Sequence, residues 1–164
     1  MKSKYHMNMT KKLMTMLLLA CWLAMLCSCD FESSYKFKVH NQTQDTVSIE
    51  MTLTHQYGYE KNGEVLIDKM YTRRLQDDRD TLILLAPGEY LLAEIWFFNQ
   101  YLSSFEQDGV TPFWYYIKSI TISEKSLEPE VWNHETAWQK KHDGHGIAFG
   151  ETWKYDLWID ESMK

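Results

Sequence analysis

His134, His142 and His145, with Glu135 and Asp143 beside them, are the clustered groups in this 164-residue chain whose types could hold a metal ion. Imidazole and carboxylate are zinc ligands, but a helical zinc-protease site needs two histidines one turn apart. His134-Glu135-Thr136-Ala137-Trp138 carries Trp at the second position, so that mechanism fails and no metal centre is expected. Glycoside hydrolysis needs two carboxylates at a set separation in space, which no linear pattern among the 23 acids reveals. No serine elbow, phosphate-cradling glycine loop or thiol nucleophile stands out. The expectation is a protein that is not an enzyme, with no catalytic residue and no cofactor.

Binding chemistry has better material. Trp132, Trp138, Trp153 and Trp158 crowd the C-terminal third, and an exposed indole offers a flat apolar face on which a sugar ring can stack. Trp132, Trp138 and Trp158 are the candidate stacking residues, with Asn133, Gln139 and Asp156 near them to bind hydroxyls. The competing expectation is that these rings are core, since large aromatics are mostly buried. Asp45-Thr46-Val47 and Asp80-Thr81-Leu82 are similar to sites of O-glycan attachment on exported bacterial proteins, although three-residue patterns recur by chance.

The first 29 residues carry a different chemistry. Lys2, Lys4, Lys11 and Lys12 precede any acid, and Leu13 to Leu26 is an apolar run of 14 residues, where a spanning helix needs roughly 20. Met7 or Met9 would serve as initiator as well as Met1. Leu26-Cys27-Ser28-Cys29 resembles the lipobox of bacterial lipoproteins. That resemblance implies cleavage before Cys29, a diacylglycerol on its thiol and acylation of the freed amine. Several acyl chains anchor stably where one is marginal, at about 0.8 kcal/mol per buried methylene. The organisation expected is therefore a signal peptide over 1–28, a lipidated tether over 29–34 and one domain over 35–164.

Removing the signal takes four lysines and no acid, so Lys plus Arg falls from 17 to 13 against 23 acids, a formal charge of −10. Such a surface repels phosphate backbones and anionic headgroups, which excludes nucleic acid as a partner and leaves lipid as the attachment. Cys21 and Cys27 leave with the signal and Cys29 is acylated, so the domain has no disulfide and must rely on its core.

Alternation then dominates. Tyr35, Phe37 and Val39 against Lys36, Lys38 and His40 read as a half-buried strand, and Val47, Ile49, Met51 and Leu53 as a second, joined to the first by Asn41–Asp45 in a hairpin. Val65–Tyr71 reads as a third strand. Thr81–Leu85 and Tyr90–Phe98 read as another hairpin about Ala86-Pro87-Gly88, followed by strands over Phe113–Ile122 and Tyr155–Asp160. His55–Gly63 and Glu124–Glu130 read as loops, and Val131–His142 as irregular or holding a short helix. About seven strands without a long helix predict an all-β antiparallel sandwich.

Val39-His40-Asn41-Gln42-Thr43, Leu85-Ala86-Pro87-Gly88-Glu89, the strand over Ile117–Ile122 and the strand over Tyr155–Ile159 resemble small uncharacterised Gram-negative lipoproteins with immunoglobulin-like sandwiches. The resemblance implies a cell-envelope location, with the outer membrane favoured, and no activity. The partners expected are the membrane, through the N-terminal lipid, and a protein or glycan at the domain's surface.

Overall fold

The computed structural model describes residues 14–16, 32–68, 77–98, 100–144 and 150–163. The chain divides into two compact units, Met1–Asp30 and Phe31–Lys164. Of the first, one helical turn at 14–16 is described, so Cys29 and the expected cleavage site lie outside the described residues. Among the described residues, no helix is long and apolar enough to cross a membrane.

In the second unit, the alternating segments form two sheets. The strands are β1 (Glu32–Asn41), β2 (Val47–Leu53), β3 (Gly58–Lys61), β4 (Glu64–Ile67), β5 (Arg79–Leu85), β6 (Tyr90–Phe98), β7 (Ile117–Ile122), β8 (Lys125–Ser126), β9 (Gln139–Gly144) and β10 (Glu151–Ile159). One sheet runs β4-β3-β6-β1-β10-β9 and the other β5-β2-β7-β8. Among the described residues, all pairings are antiparallel except β1 with β10, which lie parallel from Ser34↔Thr152 to Asn41↔Ile159. The all-β sandwich expected from alternation is what forms. Its additional strands, β3, β8 and β9, are too short or too polar to show a hydrophobic period.

The inward side chains of both sheets make one core. Phe37 is fully buried, stacked on Tyr155 at 5.0 Å and ringed by Tyr57, Phe105, Phe113, Trp114 and Trp138 at 5.7–6.1 Å. Aromatic pairs at such spacings add about 0.5–1.5 kcal/mol beyond the area they bury. The tyrosines inside keep their hydroxyls bonded: Tyr35 donates to Asp108 at 2.6 Å and Tyr57 to the Thr111 carbonyl at 2.7 Å, while Tyr59 accepts from the Thr54 amide at 3.1 Å. Burial holds all three phenols well above their ordinary ionisation range.

Several sequence-based expectations are corrected. β1 and β2 form no hairpin, nor do β5 and β6; each connection crosses from one sheet to the other. Asn41, buried between the two crossings, holds them together. Its Nδ2 donates to the carbonyls of Asp45 and Leu85 at 2.8 and 2.9 Å, and its Oδ1 accepts from the amide and hydroxyl of Thr43. Gly88, at φ +81°, lets its own amide reach the Asn41 carbonyl at 2.9 Å.

Phe113–Tyr116 is a 3-10 turn after Pro112 rather than strand, so Phe113 and Trp114 point inward and Tyr115 outward. β3 occupies part of the expected loop at 55–63. β1 starts at Glu32, three residues before the expected domain start at Tyr35, and Ser33 and Ser34 are already buried. Close packing there explains Gly150, at φ +72°: a Cβ on it would lie 1.9 Å from the Glu32 carbonyl oxygen.

Candidate functional site

Outward positions of β6, β1 and β10 line up across the six-stranded sheet because its register pairs Tyr90 with His40, Leu92 with Lys38 and Glu94 with Lys36. The parallel pair then sets Lys38 beside Asp156 and His40 beside Trp158. The outward face that results carries half-buried aromatic and charged groups in alternation.

Its centre is His40. The imidazole stacks on Trp158 at 3.7 Å with the rings 7° apart, and its Nε2 meets Asp156 Oδ1 at 2.8 Å. Lys38 sets its ammonium 3.6 Å over the Tyr90 ring. Tyr90 in turn donates its hydroxyl to Glu60 at 2.8 Å, which with partial burial keeps the phenol protonated above its usual range. Lys36 lies 2.9 Å from Glu94 Oε1, close enough for an ion pair although off the hydrogen-bond direction, and 5.8 Å from the Trp96 ring. Pairs of this sort on a half-buried, solvent-facing surface contribute about 0.2–1 kcal/mol each, so their main effect is to hold the side chains in place.

Beside this array the β3–β4 hairpin leaves a cleft of about 250 Å³, lined by Glu60, Val65, Ile67, Leu92 and Glu94 among others. It joins carboxylates to apolar walls, which suits contact with a cationic or amphipathic group. Among the described residues, none on this face pairs a nucleophile with an adjoining base.

The sequence-based candidates meet different fates. Trp132 and Trp138 are 3% and 4% exposed, and the Trp138 indole donates to the Trp132 carbonyl at 2.9 Å. Both rings are wrapped into the core by 3-10 turns at Pro129–Val131 and Glu135–Ala137, so neither offers a stacking face. Trp158 does lie on the outward side with Asp156, and one of its faces is taken by His40. His134 and His142 are not brought together into a site. His134 is exposed where it leads into the Glu135–Ala137 turn, and His142 stacks on Trp153 at 4.1 Å, while His145 lies outside the described residues. Among the described residues no three His, Cys, Asp or Glu side chains form a metal-holding group. Thr46 is exposed and Thr81 sits half-buried within β5.

His40, Tyr90 and Lys38 escaped sequence reasoning as site residues. Their outward placement is visible in the alternation of β1, but the partner strand is not: His40 and Asp156 are 116 residues apart. Comparison with protein-family models, with curated proteins and with solved structures finds no match to this chain.

Proposed function

We propose that the chain is a lipid-anchored, non-catalytic recognition module of the bacterial envelope, acylated on Cys29 and binding a partner through the outward face of its six-stranded sheet. The observation that carries this reading is the start of β1. Glu32 lies three residues after Cys29, so the linker spans about 10 Å at most, at roughly 3.3–3.6 Å per extended residue. With Cys29 acylated, so short a tether would hold the Glu32 rim of the domain close to the membrane. Opposite Glu32 stands Phe98, 65% exposed, and aromatic side chains favour the membrane–water interface.

A protein partner suits the face better than a sugar. Stacking needs bare rings, whereas one face of Trp158 is occupied by His40 and Tyr90 carries the Lys38 ammonium. Fixed charges of both signs interleaved with aromatics favour a complementary protein surface. The outer membrane is the favoured location, following the lipoprotein resemblance.

The test uses the full chain in a Gram-negative host fed a labelled fatty acid. Wild type incorporates label and fractionates with membranes, and Cys29→Ala does neither. Label retained by Cys29→Ala, or absent from wild type, overturns the anchor.

A further inference from the structure

Among the described residues, four strands end the two sheets: β4 and β9 in one, β5 and β8 in the other. A free edge presents unpaired N–H and C=O groups to any extended chain, and proteins blunt such edges by shortness, bulges or lysine. Three of the four are blunted in these ways. β8 has two residues; β4 has four and a register shift against β3 at Tyr59/Glu60; β9 carries Lys140 and Lys141.

β5 has none of these devices. It is seven residues long, holds one-to-one register with β2 from Val47↔Leu85 to Leu53↔Arg79, and contains neither proline nor lysine. Its charges are confined to Arg79 and Asp80, and Asp80 is engaged by Lys118 and Thr52. Among the described residues, backbone groups of 79–84 make no hydrogen bond outside the pairing with β2. The outward side chains beside this edge are Leu82 and Leu84, 61% and 51% exposed, facing a groove shared with Leu66 of β4.

We infer that β5 pairs antiparallel with β5 of a second copy of this chain, joining two four-stranded sheets into one of eight about a two-fold axis normal to the sheet. The argument for a second copy lies in the sequence of the edge. Such an axis keeps outward residues opposite outward ones, and Leu82-Ile83-Leu84 is a palindrome. Centred on Ile83, the pairing sets each Leu82 opposite Leu84 of the other copy and gathers four exposed leucines into one patch. Neighbouring registers are worse. Centring on Leu82 puts Asp80 against Leu84, and centring on Leu84 brings Pro87, which has no N–H, opposite Thr81 inside the ladder. In the Ile83 register Pro87 falls opposite Arg79, at the ladder's end. The pairing uses no residue of the lipid anchor and stands apart from it.

Two full-length variants with different tags, Leu82→Cys and Leu84→Cys, are mixed and oxidised with diamide, with the wild-type chain measuring background from its own cysteines. Directly opposed residues meet the Cα spacing that a disulfide needs and diagonal ones do not, so the mixed disulfide should exceed either self-linked product by about fivefold or more. Both sites are exposed, and circular dichroism verifies that the variants fold. Leu84→Lys, which places an ammonium in the leucine patch of each copy, should weaken association in sedimentation roughly tenfold or more. Self-linked products dominating the mixture would overturn the register and with it the proposal. So would mixed product at background level, which would leave the edge for a different extended chain.

Discussion

β5 and β9 both end a sheet, and they meet water in opposite ways. β9 folds its charges back onto the strand beside it. Lys140 reaches Glu135 at 2.8 Å and lies 4.6 Å over the Trp153 ring, Lys154 and Lys141 converge on Asp143, and His142 covers Trp153. β5 turns Leu82 and Leu84 outward with no charge beyond its first two residues. Lysine at an edge makes pairing with another strand costly, because a foreign strand would have to desolvate the ammonium groups. The difference identifies which side of the sandwich is closed and which remains available.

The largest expected effect strikes the closed side. Trp138 lies just before β9 and packs on Phe37, Phe113 and Trp114 within 6.2 Å. Trp138→Ala should cost about 3–5 kcal/mol in urea unfolding, because it opens a cavity and strands the Trp132 carbonyl. A loss below about 1 kcal/mol would mean that β9 is not held through this ring.

On the open side the comparable fastening is Asn41, whose amide holds the Leu85 carbonyl at the end of β5. Asn41→Ala removes the donor to the buried Leu85 carbonyl and the acceptor of the buried Thr43 amide, and should cost about 2–4 kcal/mol. Near-wild-type stability in that variant would break the account of why the chain changes sheets at Asn41 and again near Gly88.

A smaller effect depends on pH and is shared by the two edges. Hydrogen bonding to Lys154, aided by Lys141, holds the Asp143 carboxyl below its ordinary range. Its folded value is therefore lower than its unfolded value of about 3.9, so its contribution is present above that pH and lost as pH falls through the lowered value. Asp143→Asn should lower the melting temperature slightly at neutral pH and flatten the acid limb, the two proteins converging as pH falls through the lowered value. Asp80, lowered chiefly by Lys118 and Thr52, predicts the same behaviour at the start of β5. The smallest effect belongs to Leu84→Lys, which should alter the stability of a single copy by no more than about 0.5 kcal/mol, as for other exposed positions.

Much of this architecture is legible in residue types, and the gaps have physical causes. Tyr35, Phe37 and Val39 announce a strand because period two requires no knowledge of the partner. The partner is set elsewhere: Asn41–Asp45 and Ala86–Glu89 have the composition of hairpin turns, yet the buried Asn41 amide ties them together as crossings between sheets. Trp114 and Tyr115 read as strand residues, but Pro112 precedes a 3-10 turn there. Trp132 and Trp138 follow the expectation that large aromatics are core, because the loops carrying them are themselves part of it. Trp158 was legible as an outward residue; the imidazole on its face was not, since only the parallel pairing of β1 with β10 brings His40 to it.

The most direct measurement is hydrogen exchange of the full chain at two protein concentrations, read separately for residues 79–85 and 139–144. The account predicts amides of β5 that exchange readily when dilute and gain protection as concentration rises, with β9 unchanged. Exchange in β5 that is independent of concentration, or protection that rises equally at both edges, would contradict it.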